Sequence, residues 1–187
     1  MKRLHRDPFA SRNSRGFTLL EALVTMAIVA IMLGLAAPSF VSFQRSSELT
    51  TTANAFVGAL ATARSEALKR QLKVFVVPTT VGNWAGGLTI FVDVNKNDCL
   101  TPDAADVVVA KTGAIPASIS ASAYSGGAYV AFNGAGFMTT QTSAIALAGE
   151  ITFTINGTTD ARRVVASPAG RMRVCKPADA GCDATTL

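Results

Sequence analysis

Histidine is almost missing from this chain. Its single copy, His5, stands in a basic N-terminal stretch, so nothing beyond residue 16 carries an imidazole. That excludes a Ser-His-Asp triad, a Cys–His pair and a histidine-bearing zinc site from the body of the protein. Acidic residues are sparse as well, 12 Asp and Glu in 187 residues, and no two stand in a context that pairs a general acid with a base. The chain therefore reads as a non-enzyme that needs no cofactor and no metal. Alternation of strand and helix patterns is lacking, which argues against a parallel α/β enzyme. Cysteine is limited to Cys99, Cys175 and Cys182, an odd number that cannot pair completely within one chain.

The formal charge of +5 invites a nucleic-acid reading, but its distribution weakens it. Residues 1–16 hold Lys2, Arg3, Arg6, Arg12 and Arg15 against Asp7, a net +4, which leaves +1 for everything after them. Basicity is mostly a property of the leader, and a case for nucleic acid has to rest on local clusters.

What the chain does have is a long apolar run with one acid near its start. From Phe17 to Ala37 there are 21 residues whose only charge is Glu21. As a helix rising about 1.5 Å per residue, they span roughly 30 Å, the thickness of a hydrocarbon core. An ordinary secretory signal would show the same basic flank and apolar run, with small residues near Gly34 to Ala37 for cleavage. A carboxylate placed early in the run costs about 2.5 to 3.5 kcal/mol on insertion scales, which argues for a partner and a function. Positive residues ahead of the span predict a cytoplasmic N-terminus and a C-terminal domain that crosses outward, where oxidation of thiols is allowed. Cys175 and Cys182 enclose a six-residue loop containing Pro177 and Gly181, so their bridge is favoured over pairing with Cys99, three reduced thiols being the alternative.

Arg15-Gly16-Phe17-Thr18-Leu19-Leu20-Glu21 resembles the prepilin processing motif of type IV pilins and type II secretion pseudopilins, and Pro38 after the apolar run fits as well. The resemblance implies a prepilin peptidase that cuts after Gly16 and methylates the new amine on Phe17. It also implies that Glu21 attracts the N-terminal amine of a neighbouring pilin subunit, a pairing that low dielectric strengthens. The expected organisation is a leader over 1–16, a membrane and assembly helix over 17–38, an amphipathic continuation over 39–72 and a β-rich domain over 73–187. The subunit would sit in the inner membrane first, then in an extracellular pilus or a periplasmic pseudopilus.

From Leu49, the positions Leu49, Ala53, Phe56, Val57, Leu60, Ala63, Ala67 and Leu68 recur at three- and four-residue steps and mark one buried face of a helix that runs to about Gln71. Pro78 and Gly82 are expected to close the helical region. Beyond Lys73 the pattern changes to β-type runs at 74–77, 88–92, 107–109, 129–132, 151–155, 163–166 and 172–174. Turn signals separate them at Gly86-Gly87, Asn133-Gly134, Asn156-Gly157 and Ala169-Gly170. The fold class is α+β: a long N-terminal helix, membrane-spanning in its first half, packed on antiparallel sheet. Gly134-Ala135-Gly136 has neither the third glycine nor the helix of a dinucleotide loop and reads as a hairpin turn. Asn156-Gly157-Thr158 is formally a sequon, but Asn-Gly between β runs is first a tight turn.

Two clusters remain. Asp93, Asn95, Asn97 and Asp98 match the opening half of a calcium loop, with Asp103 and Asp106 nearby. The glycine position holds Asp98 and the terminal acid falls on Ala104, so a solvated turn is the expectation. Near the C-terminus lie Arg162, Arg163, Arg171, Arg173 and Lys176. On a strand Arg171 and Arg173 share a face, able to grip successive phosphates or simply to keep a sheet edge soluble.

The processing motif, the helix-then-strands layout and Gly170-Arg171-Met172-Arg173 together resemble the FimT/GspH group of minor pilins over nearly the whole mature chain. FimT-like members imply non-specific DNA binding at Arg171 and Arg173, helped by Lys176, Arg162 and Arg163, in DNA uptake during natural transformation. GspH-like pseudopilins imply instead a structural or priming subunit without DNA. A secreted enzyme would need conventional cleavage after Ala36 or Ala37.

Overall fold

The computed structural model describes residues 16–141, 146 and 148–184, with side chains throughout except at 35–38. The leader over 1–16 thus lies outside the described residues but for Gly16, and His5 lies outside with it. The chain divides into two compact units, Met1–Ser42 and Phe43–Leu187.

One helix, α1, spans Leu19–Arg70. It opens on Thr18, whose Oγ1 accepts from the N–H of Glu21 at 3.2 Å while its carbonyl accepts the first helical bond from Ala22. In the first unit α1 is an apolar rod with its side chains outward: Leu19 is 83 % exposed and Met26 75 %. In the second unit the same helix is amphipathic. Leu49, Ala53, Leu60, Ala63 and Ala67 are fully buried and Phe56 nearly so, which is the stripe that the spacing predicts. Leu68 departs from it, lying exposed over Gly136.

Pro78 and Gly82 do not end the helix. Gln71 does, turning to a left-handed φ of 56° with its Nε2 donating to the carbonyl of Leu68. Gly134 packs onto that turn so closely that a Cβ there would stand 2.7 Å from the Gln71 carbonyl carbon. On the last helical turns Glu66 accepts from Arg70 at 2.6 Å, and this bond chiefly holds its carboxyl below the usual range.

Nine strands follow among the described residues: β1 Val74–Thr80, β2 Asn83–Val92, β3 Val107–Lys111, β4 Ile119–Ala121, β5 Val130–Phe132, β6 Met138–Thr139, β7 Gly149–Ile155, β8 Ala161–Ala166 and β9 Met172–Cys175. They form two antiparallel sheets, ordered β3-β2-β1-β5-β6 and β4-β7-β8-β9. All seven predicted runs are strands. The short β4 and β6 were not foreseen, since Ile119-Ser120-Ala121 and Met138-Thr139 lack the apolar run that marks the equally short β5. Gly86-Gly87 is not a turn but lies inside β2; the β1–β2 turn falls at Val81-Gly82, and Pro78 sits in β1 beside a bulge. The turn at Gly134-Ala135-Gly136 joins β5 to β6, and that at Asn156-Gly157 joins β7 to β8.

The main core lies between the helix stripe and the inner faces of both sheets, with Val74, Val76, Ile90 and Phe132 from the first and Ile151, Phe153 and Val164 from the second. Phe56 sits edge-on to Trp84 and Phe153 at 5.8 and 5.6 Å, which ties the helix to both. A smaller core of Phe75, Val77, Phe91 and Ala131 covers the outer face of the first sheet, under Leu100 and Tyr129. Burial on both faces explains why β1 and much of β2 read as unbroken apolar runs.

Candidate functional site

The N-terminal candidate site is built on the helix cap. Gly16 has open space where a side chain would stand and Phe17 is exposed, so the bond marked for cleavage is accessible backbone ahead of the helix. Thr18 has a role that reading for assembly overlooks. Thr18-Leu19-Leu20-Glu21 carries the spacing of a capping box, with Thr18 as N-cap and Glu21 in the first turn, where the helix dipole favours a carboxylate. By length and composition, Leu19–Gly34 qualifies as a membrane span only together with the helical residues that follow from Ser39.

The C-terminal basic residues do not gather into one patch. The β8–β9 register pairs Arg163 with Cys175 and Val165 with Arg173, so these four share the outer face of the second sheet, while Val164, Ala166, Met172 and Val174 face the core. Segment 176–184 folds back over that outer face. Cys175 and Cys182 are joined by a disulfide, Arg163 Nη1 donates to the Cys182 carbonyl at 2.8 Å, and Arg173 Nη2 donates to the carbonyl of Gly181. Glu150 on β7 completes the clasp: its Oε1 lies 3.4 Å from Arg163 Nη1 and its Oε2 accepts from the Ala184 N–H. Val165 is thereby fully buried although it faces away from the core.

Arg171 and Lys176 are exposed at opposite ends of β9, and the register continues so that Lys176 follows opposite the half-buried Arg162. Arg162 Nη1 donates to the Ala161 carbonyl. Arg173, expected on an exposed face with Arg171, and Arg163, expected as a helper of that pair, instead hold the C-terminal loop.

Arg64, which sequence reasoning did not place here, and Gly170, which it read as a turn signal, fix this region. Arg64 on α1 donates to the carbonyls of Gly170 at 2.7 Å and Ala169 at 3.1 Å, fastening the β8–β9 turn to the helix. Gly170 has a φ of +75°, and a Cβ there would stand 2.6 Å from the Gly136 carbonyl oxygen and 2.8 Å from the Arg64 guanidinium. The glycine of the Gly-Arg-x-Arg stretch is thus required by backbone conformation and close approach.

The 93–106 loop uses its polar groups on itself. Asp93, 1 % exposed, accepts from the N–H groups of Asn97 and Asp98. Asp103 accepts from Asn95 Nδ2 at 2.8 Å and Asn97 Nδ2 at 2.7 Å. Those bonds, that from Asn95 above all, hold its carboxyl below the ordinary range. Asp98 pairs with Lys73 at 2.5 Å. Among the described residues, no group of three or more His, Cys, Asp and Glu is placed to hold a metal ion. Cys99 is an exposed free thiol in this loop.

Comparison with known proteins assigns these features. Residues 52–170 match the type II transport protein GspH family, and residues 11–37 match the prokaryotic N-terminal methylation motif. That motif implies processing by a prepilin peptidase and assembly with other pilins, and the apolar helix behind it implies membrane anchoring before assembly. No curated protein matches the chain by sequence. The fold is similar to that of the type IV minor pilin FimU of Pseudomonas aeruginosa, at TM-score 0.55 and 21 % identity over 73 % of this chain and 98 % of that one. It is also similar to the minor pseudopilin EpsH from the type 2 secretion system of Vibrio cholerae, at TM-score 0.51 and 16 % identity over 71 % and 99 %. Processing motif, helix and paired sheets lead to one assignment: the chain belongs to the GspH family of minor type IV pilins and pseudopilins.

Proposed function

We propose that the chain is a FimT-like minor pilin, cut after Gly16, methylated on Phe17 and built into a type IV filament, where it binds duplex DNA through phosphates without reading bases. Before assembly its N-terminus lies in the cytoplasm and its C-terminal domain outside the inner membrane. Within the filament Glu21 pairs with the amine of a neighbouring subunit. No bond is made or broken in its work, which is adhesion. The observation that supports DNA contact is the exposure of Arg171 and Lys176 at the two ends of the edge strand β9, with Arg162 beside Lys176.

A structural reading in a secretion pseudopilus has an observation of its own. Gly170 and Arg173 are used in holding the turn and the C-terminal loop, so the Gly-Arg-x-Arg stretch has a fold role that needs no nucleic acid.

A gel shift with the full-length protein in non-ionic detergent and a short random-sequence duplex separates the two. Two or three phosphate contacts give a shallow salt slope, roughly −0.9 for each phosphate neutralised. Arg171→Ala/Lys176→Ala removes most of the shift and leaves the thermal midpoint unchanged. Full binding by that double variant, or none by the wild type at low salt, rules out the DNA reading and favours the structural subunit.

A further inference from the structure

Asn-Gly occurs twice in the chain, at Asn133-Gly134 and Asn156-Gly157, and the two turns hold their amides differently. In this dipeptide the glycine nitrogen can close on the preceding side-chain carbonyl carbon, because glycine has no Cβ to keep the two apart. Around Asn133 the surroundings oppose that approach. Its Oδ1 accepts from the N–H groups of Ala135 at 3.0 Å and Phe137 at 3.1 Å, which fixes the amide plane, and Gly134 is pressed onto the backbone of Gln71. Both residues are half-buried.

Asn156 and Gly157 are exposed at the tip of the β7–β8 hairpin. The Ile155 carbonyl accepts from the Thr158 N–H at 3.1 Å and Gly157 has a φ of 79°, the pattern of a type II turn. A Cβ at Gly157 would meet nothing within 4 Å, and its N–H has no partner among the described residues. Asn156 itself ties the turn to another segment: Nδ2 donates to the Ala117 carbonyl at 2.9 Å and its N–H donates to the Ser118 carbonyl at 2.9 Å. Ser118 Oγ donates in turn to Glu48 Oε2 at 3.1 Å. Residues 117 and 118, which lead into the edge strand β4, are thus held by this turn on one side and by α1 on the other.

We infer that Asn156 is a site of slow, uncatalysed deamidation, and that the change releases the entry to β4. The Gly157 nitrogen attacks Cγ of Asn156 and gives up its proton, the Cγ–Nδ2 bond breaks, and Nδ2 leaves as ammonia, with a five-membered succinimide left behind. Water then opens that ring at either carbonyl. One opening gives an aspartyl residue at position 156, the other an isoaspartyl residue with one more backbone atom. In both products the amide donor to Ala117 is gone and a carboxylate, which only accepts, replaces it. The turn lets go of the segment that it held, and the subunit gains one negative charge.

The test uses the full-length protein in non-ionic detergent, aged at physiological temperature in mildly alkaline buffer made with heavy-oxygen water. Peptide mapping by mass spectrometry, with fragmentation that separates aspartyl from isoaspartyl products, locates each conversion. Asn156 is expected to convert several times faster than Asn133, with both products at position 156 and a heavy oxygen in each. Asn156→Gln, whose longer side chain disfavours the ring closure, should stay unconverted over the same time. Hydrogen exchange at Ile119–Ala121 should quicken roughly fivefold in the aged protein and in Asn156→Asp, the weight of one neutral hydrogen bond, while β8 keeps its protection. No conversion of Asn156, conversion no faster than that of Asn133, or conversion without uptake of heavy oxygen overturns the site. Unchanged exchange at β4 in protein that carries the modification overturns the release. Should Asn156→Asp fail to fold, the aged wild type gives the same reading, since it folded with the amide in place.

Discussion

Both sheets have an outer face closed by a loop, and the two closures use opposite chemistry. Over the first sheet, loop 93–106 brings Leu100 onto Phe75, Phe91, Val77 and Ala131, with Phe75 and Phe91 stacked at 5.4 Å. Its polar groups lock the loop from above, through the Lys73–Asp98 ion pair and the buried carboxylate of Asp93. Over the second sheet, segment 176–184 covers one valine and is held by a disulfide and two arginines. Apolar area scales with stability and polar ties do not, so the first loop belongs to the core and the second is a removable cover.

The largest effect expected from this contrast is in the first cover. Phe91→Ala removes a fully buried ring that stacks on Phe75, and should cost about 3–5 kcal/mol, seen as a large fall in the urea midpoint. A loss below about 1 kcal/mol would mean that the 93–106 loop is as detachable as the C-terminal one. Next comes the second cover. Cys175→Ser/Cys182→Ser opens a short loop and should cost about 2.5 kcal/mol on the chain-entropy scale, while the far-UV spectrum and the hydrogen-exchange protection of β7 stay as they were. Protection lost throughout β7 would show that the cover is part of the core after all.

These two closures were unequally legible. The helix stripe and the seven foreseen strands are written in periodic or unbroken apolar runs, and the pairing of Cys175 with Cys182 in their short separation. The outer core of the first sheet was half visible, since β1 and β2 read as continuous apolar runs whose second face needs a cover. What that cover is cannot be read locally, because Leu100 lies in a polar loop whose role is set by where the chain returns. The arginine cluster shows the same limit. Alternation puts Arg171 and Arg173 on one side, but Arg173 meets a loop that doubles back to it, and its neighbours Arg163 and Glu150 come from other strands. Gly170 was read as a turn signal, and that was right as far as it went. The close approach of Arg64, from 106 residues earlier, has no local signature. Thr18 is the converse case: its capping of the Glu21 N–H is wholly local, and attention to the membrane cost of Glu21 hid it.

The smallest expected effect is a pH dependence confined to the first cover. Asp103 accepts side-chain bonds from Asn95 and Asn97 and a backbone bond from Ala105, and its carboxyl is held below the ordinary range, chiefly by Asn95. A depressed folded value means that the unfolded chain takes up the proton first as acid is added. The stabilisation is therefore complete above the unfolded value near 4 and is lost as pH falls through the lower folded value. Because the group is fully solvent-facing, the effect is a small slope in the thermal midpoint. Asp103→Asn should lower the midpoint slightly at neutral pH, and the gap from wild type should narrow as pH drops below the ordinary carboxylate range. A gap that stays constant through the acid range would place the loop's order in the backbone turns at Lys96 and Asp98, both of positive φ, and leave the carboxylate as an ornament on a loop that Leu100 alone holds down.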